Sequence, residues 1–340
     1  MALRTAKARW LIASAVLGLP LTGMRAAPLA EKVGGPEVCV ECHVEEIAAW
    51  KRTVHAKTLN TLERRPETAD MLLKLGLGRI KAERQCQDCH YLGKVIDNEY
   101  EVVAGIACES CHGAGGDWAK THGDYGRGVT KENESPEHRA ARWAQAEAAG
   151  MIRPGNLYAL GSNCYGCHIG NDEKLTNVGG HVAGSVGFNL LTWSQGEVRH
   201  TILHTGNKAN PEATPGHRRQ LFVVGCILET EFCFRAVAHA TEKAAFGVTQ
   251  ARRADAARKL LEKIQALAPT PELGAIVAIA QAAGLRLNNA AELLAAADKI
   301  SALGRTFAAK VSGDQLAGMD SVLPPTGIFK GMPYEVATAP

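Results

Sequence analysis

Ten cysteines stand in the 340 residues, and eight of them repeat one pattern. The four copies are Cys39-Val-Glu-Cys42-His43, Cys86-Gln-Asp-Cys89-His90, Cys108-Glu-Ser-Cys111-His112 and Cys164-Tyr-Gly-Cys167-His168. Each is C-x-x-C-H, the attachment signature of c-type haem. Two thiols at this spacing add to the two vinyl groups of one porphyrin, and the adjoining imidazole reaches the iron as proximal ligand. Zinc ribbons also use C-x-x-C pairs, but they need no histidine directly after each pair. A redox dithiol reading does not account for four copies. The expectation is four covalent haems, held by Cys39, Cys42, Cys86, Cys89, Cys108, Cys111, Cys164 and Cys167, with His43, His90, His112 and His168 proximal.

Twelve histidines are present, so eight remain as sources of a sixth ligand. His55 closes a helical pattern that begins at Glu45. On a continuous helix it lies roughly 18 Å from His43 at 1.5 Å per residue, too far to share one iron, so it should serve a different haem. His122 follows the third motif through Gly113-Ala114-Gly115-Gly116, and His181 follows the fourth within Gly179-Gly180-His181-Val182-Ala183-Gly184. Glycine lets the backbone pass close to a flat ring. His200 and His204 are four apart, on one face of an expected helix; either could be a ligand or a propionate partner. His138, His217 and His239 read as surface or core residues.

The elements that must hold these groups divide the chain. Residues 1–30 read as an export signal. Arg4, Lys7 and Arg9 precede an apolar run from Trp10 to Leu21, and small residues follow at Ala26, Ala27 and Ala30. The run is shorter than the roughly 20 residues of a membrane span, although an uncleaved anchor is an alternative. Removing this segment takes four basic residues and no acid, so the formal charge of +3 becomes −1. Such a balance excludes a nucleic-acid partner as the reading of the basic pI. No later stretch reads as a membrane span, so a soluble, periplasmic protein is expected after signal removal. Aromatic residues make up only 5%, thin for a core of this size; four haems would fill that space.

Residues 31–210 are expected to form the haem domain, 211–311 a helical domain or extension, and 312–340 an extended tail. From Gln220 to Leu267 apolar residues recur at helical spacing, with Gly247 a plausible break. Further helices are expected over Pro271–Ala283 and Asn289–Val311, the latter capped by Asn288 or Asn289. Cys226 and Cys233, seven apart, would lie roughly 10 Å apart on one helix, beyond disulfide reach; two buried free thiols are expected. The fold class is therefore mainly α, a multihaem cytochrome c domain with little sheet plus a C-terminal helical bundle.

The pattern resembles the cytochrome c554 family of periplasmic tetrahaem cytochromes over roughly residues 36–205. The matching pieces are Cys39–His43 with Trp50 and His55-Ala56, Cys108–His112 with Gly113, Gly115 and His122, and Cys164–His168 with Gly180-His181, Ala183 and Gly184. The resemblance implies a mostly helical fold, haems packed in close pairs, and electron transfer, with hydroxylamine oxidoreductase the donor of the type member. It also implies three bis-histidine haems and an open second one. Carried over, His55, His122 and His181 would be distal ligands and the haem on Cys86, Cys89 and His90 would be five-coordinate. His200 or His204 could instead close the fourth site, with Met71 or Met151 as further alternatives; His204 is kept among the distal candidates. The leading expectation is an electron carrier between redox proteins, an oxidoreductase donor and a downstream cytochrome or quinone-linked acceptor. The alternative is a redox enzyme or gas sensor for nitric oxide or hydroxylamine at an open haem. The resemblance ends near residue 205 and gives the rest no role.

Overall fold

The computed structural model describes residues 28–170, 172–185 and 187–337. The expected signal, apart from its last three residues, lies outside them. In order come α1 (Glu37–Val40), α2 (Val44–Arg52), α3 (Val54–Thr61), α4 (Pro66–Leu75) and α5 (Arg84–His90), then β1 (Leu92–Ile96) and β2 (Glu99–Ala104). There follow α6 (Cys108–His112), α7 (Pro136–Ala148), α8 (Leu157–His168), α9 (Glu173–Asn177) and α10 (Leu190–Ser194). The long helices α11 (Pro215–His239), α12 (Ala245–Leu267), α13 (Pro271–Ala282) and α14 (Ala290–Lys310) come last. The fold is mainly α, with β1 and β2 the one sheet among the described residues.

The two halves are built differently. Before residue 150 the buried apolar clusters among the described residues are two and small, Val33, Leu92, Ala104 and Ala107 in one and Ile80, Cys86 and Tyr91 in the other. The large core gathers around α11, where sixteen residues are buried on every side of the helix, as expected for a helix enclosed by neighbours. It packs against α8, α10, α12 and α14. Close approach is secured at Gly304 of α14, where a Cβ would sit 2.3 Å from the Tyr158 ring of α8. Tyr158 in turn donates to the buried Glu231 of α11 at 2.5 Å, and Glu231 pairs with Arg235 at 2.9 Å. The core therefore crosses residue 210 and takes α8 and α10 from the haem-motif region.

Several local expectations change. Thr53 is extended and breaks the helix expected through His55; its hydroxyl caps α3 by accepting from Ala56 N. The long C-terminal pattern breaks at residues 240–244, and Gly247 lies inside α12. Asn289 precedes α14 but makes no side-chain cap there; it donates to Gly284 O instead. Residues 314–322, expected to be extended, form a 3-10 helix that buries Leu316 and Met319. The β1–β2 hairpin turns on Asp97 and Asn98, both with positive φ, the backbone that a two-residue hairpin turn demands.

Candidate haem-binding site

Each C-x-x-C-H motif is presented on helical or turn backbone, which brings residues i, i+3 and i+4 to one face. The second, third and fourth motifs lie in α5, α6 and the end of α8. The first straddles α1 and α2, with His43 at the N-cap position of α2. The hairpin joins two of them, because β1 follows His90 and β2 runs toward Cys108. The fourth is carried out of the bundle by α8, whose Tyr158 and Tyr165 are buried in the large core.

The imidazoles meet in four pairs. His43 faces His122 with ring centroids 6.0 Å apart, His55 faces His168 at 6.1 Å, His90 faces His181 at 6.1 Å, and His112 faces His200 at 6.2 Å. Every pair joins one motif histidine to one from outside the motifs. Two metal–nitrogen bonds of about 2.0 Å and two ring radii of about 1.2 Å require about 6.4 Å between centroids. The spacing thus fits one iron between each pair. Among the described residues no group of three or more His, Cys, Asp or Glu could hold a bare metal ion. Two axial nitrogens fit an iron whose other four positions come from a porphyrin.

The outer nitrogens are tied down. Nδ1 of His122 lies 2.7 Å from Ala119 O, that of His112 2.9 Å from Ile152 O, and that of His168 2.7 Å from Ser185 Oγ. Nδ1 of His181 lies 2.7 Å from Val182 O, and that of His200 2.7 Å from Val198 O. A carbonyl at Nδ1 fixes the tautomer that leaves Nε2 to face a metal. Burial, with help from neighbouring imidazoles, pulls His90 down to about 4 and His168 down to about 3, keeping both neutral, the ligating form. Local sequence builds these contacts. Ile152 N donates to His112 O at 2.8 Å, and this approach requires Gly113, whose φ is +86° and where a Cβ would meet Gly150 O at 2.2 Å.

Three buried donors wait beside these rings. Tyr91 Oη, Trp118 Nε1 and Arg199 Nε have no hydrogen-bond partner. They follow or approach ring-pair residues: Tyr91 is next to His90, Arg199 is next to His200, and the Trp118 ring is 5.3 Å from that of His122. An orphaned buried donor is costly unless an acceptor meets it, and haem propionates are such acceptors.

The motif segments also touch one another. The Cys39 and Cys108 thiols are within hydrogen-bonding reach. Asn163 of α8 donates to Cys111 O at 2.7 Å, and Cys167 Sγ lies 3.9 Å from Asp88 O. Thr58 Oγ stands 2.8 Å from His55 O and 2.9 Å from His90 O. The motifs are thereby neighbours in the order first, third, fourth, second.

Of the histidines singled out in the sequence, His55, His122 and His181 each face a motif histidine. His204 does not; His200 takes that position, facing the third motif. Residues 200–204 are not one helix, since a 3-10 turn begins only at Ile202 and Asn210 Oδ1 accepts from Thr201 N at 3.0 Å. His181 stands opposite His90, where the resemblance implied an open face. Cys226 and Cys233 are buried and unbridged, and burial pushes both thiols well up.

Facing imidazoles, attachment motifs and orphaned donors together define a c-type cytochrome, with covalently bound haem c. Residues 38–113 match the family model described as cytochrome c554 and c-prime. Cytochrome c-554 of Nitrosomonas europaea is 24% identical over 143 residues, which make up 40% of this chain and 57% of that protein. This chain thus spans little more than half the length of that relative. Over these stretches the chain is similar to the cytochrome c554 family. No solved structure matches the chain.

Proposed function

We propose that the protein is a periplasmic tetrahaem cytochrome that passes single electrons between redox proteins. The observation that carries this reading is the set of four facing histidine pairs, each at the separation one iron requires. Haem c supplies a one-electron Fe(III)/Fe(II) couple in each. Cys39, Cys42, Cys86, Cys89, Cys108, Cys111, Cys164 and Cys167 would hold the porphyrins. His43, His90, His112 and His168 would be proximal, with His122, His181, His200 and His55 their respective distal partners. Six-coordination by two imidazoles suits electron transfer, because neither ligand need leave. Contact between motifs in the order first, third, fourth, second supports a continuous route along the row.

Export rests on the signal-like N-terminus, and among the described residues no helix is long and apolar enough to cross a membrane. An oxidoreductase donor and a cytochrome or quinone-linked acceptor would be the partners, and respiration of nitrogen compounds is the setting that the resemblance suggests.

The test is electron paramagnetic resonance of the oxidised holoprotein with and without nitric oxide, beside a pyridine haemochrome count. Four haems per chain and only low-spin signals, unmoved by nitric oxide, are expected. A high-spin signal that nitric oxide alters would overturn full closure and favour an enzyme or gas sensor.

A further inference from the structure

Of the eight paired rings, seven have no carboxylate within ion-pair distance among the described residues. The exception is His43. Its Nδ1 stands 3.7 Å from Glu46 Oε2, one helical turn along α2. Both Glu46 oxygens are buried, and the groups that address this carboxylate are His43 and the backbone N–H groups of Glu46 and Leu203. The other five tied rings face neutral oxygens.

Two cations near the row are clamped by carboxylates, whereas the buried Glu109 of the third motif is met by the backbone N–H groups of Gly34, Gly35 and Gly115 and is felt at Cys39 of the first. Arg142 donates to His122 O but is clamped by Glu134. Arg253 donates to His168 O at 3.2 Å and is clamped by Glu229 at 2.7 and 3.1 Å. Glu197 accepts from Val54 N, next to His55. At the far end, the charge of Arg65 is felt at His90 and those of Glu83 and Asp172 at Cys86, so no single carboxylate stands against a ring there as Glu46 does against His43.

We propose that Glu46 is a positioning and tuning residue that makes the first haem the most reluctant of the four to accept an electron, so that the row is electrically graded from the first motif toward the second. This rests on the tetrahaem reading above. A carboxylate at the outer nitrogen makes the imidazole a stronger donor, and in a low-dielectric interior its negative charge disfavours one more electron nearby. Because the first motif is terminal in the contact order, the grade has a direction: electrons entering there run downhill to the second motif.

The experiment is a potentiometric titration of the holoprotein, followed by paramagnetic resonance, for the wild type and Glu46→Gln. The His43–His122 planes differ by 11°, whereas the other pairs cross at 56–89°. Near-parallel rings act on one iron d orbital and split the set, giving a rhombic signal that identifies the first haem. In Glu46→Gln the rhombic signal should disappear at a higher potential. A tenfold change in its oxidised-to-reduced ratio is expected, 59 mV for one electron, with smaller movement in the others. Glu46→Asp keeps the charge at longer reach and should shift it less, in the same direction; it also carries the test if the Gln variant does not mature. Four haems with an unmoved rhombic couple, or with all couples moving alike, overturn the inference alone. Fewer than four haems in the wild type overturn the tetrahaem reading and the inference with it.

Discussion

An imidazole offers two nitrogens, and here one is spent on holding the ring and the other faces its partner. His181 shows what this implies. Its Nδ1 is fixed by Val182 O, two residues from Gly180, whose φ of +79° turns the chain. His181→Ala should therefore open one iron while leaving the ring opposite, His90, in place. The expected result is one new high-spin ferric signal that nitric oxide perturbs, with the haem count unchanged. An unaltered low-spin spectrum would show that His181 is not a ligand. Legibility also differs most at this scale. The attachment motifs stand out in the sequence, because covalent chemistry would fix C-x-x-C-H within five positions. Ring partners could not be read this way, because each depends on chain 79 or more residues away. His200 and His204 were indistinguishable by spacing, and what separates them is Asn210 holding Thr201, which no local pattern announces.

Elements translate that chemistry into position, and α7 is the clearest case. Glu134 sits just before its N-cap, Ser135, and receives Arg142 at 2.6 and 2.7 Å and His138 at 2.7 Å. Arg142 reaches on to His122 O, so α7 steadies the segment that carries the His122 ring. The Arg142 guanidinium, with His138, holds the Glu134 carboxyl down to about 2. Its folded value is below the unfolded one, so its stabilisation is present above about pH 4.5 and is lost as the pH falls toward 2. Glu134→Gln should be less stable than wild type at pH 7, and the gap should close on acidification. Urea midpoints across that range check this; a gap independent of pH would exclude the carboxylate as its source. The C-terminal helices were largely legible, since α13 begins at Pro271 as expected, behind the Thr270 cap, while α11 begins at Pro215 behind Thr214, five residues ahead of the expected Gln220. The hairpin was not, because its five or six residues per strand show little alternation.

Across the whole molecule, one half has a protein core and the other has two small clusters around its motifs. The bundle is closed by glycine contacts, and Gly304→Val would drive two branches into Tyr158 and Ile227. Overpacking of this kind costs about 1–3 kcal/mol. Because α8 joins that contact to the fourth motif, chemical denaturation should show the loss, while low-spin signals in the folded protein stay as they were. Loss of the fourth haem in the folded variant would instead show that bundle packing governs ligation. The aromatic shortage pointed to a filler in the interior, and the sparse clusters lie where that filler is expected. The bundle's claim on α8 and α10 was hidden because it is made across the chain, by Leu157, Tyr165 and Leu190 against α11.

The four ring pairs have an order in time as well as in space. Along the chain His43, His55, His90 and His112 all come before any of their partners, which then arrive in the same sequence as His122, His168, His181 and His200. It is a queue, in which the first ring to wait is the first to be answered. A chain appearing N-terminus first would thus have presented its first three attachment motifs before a single pair could close, and His200 would be the latch that completes the set.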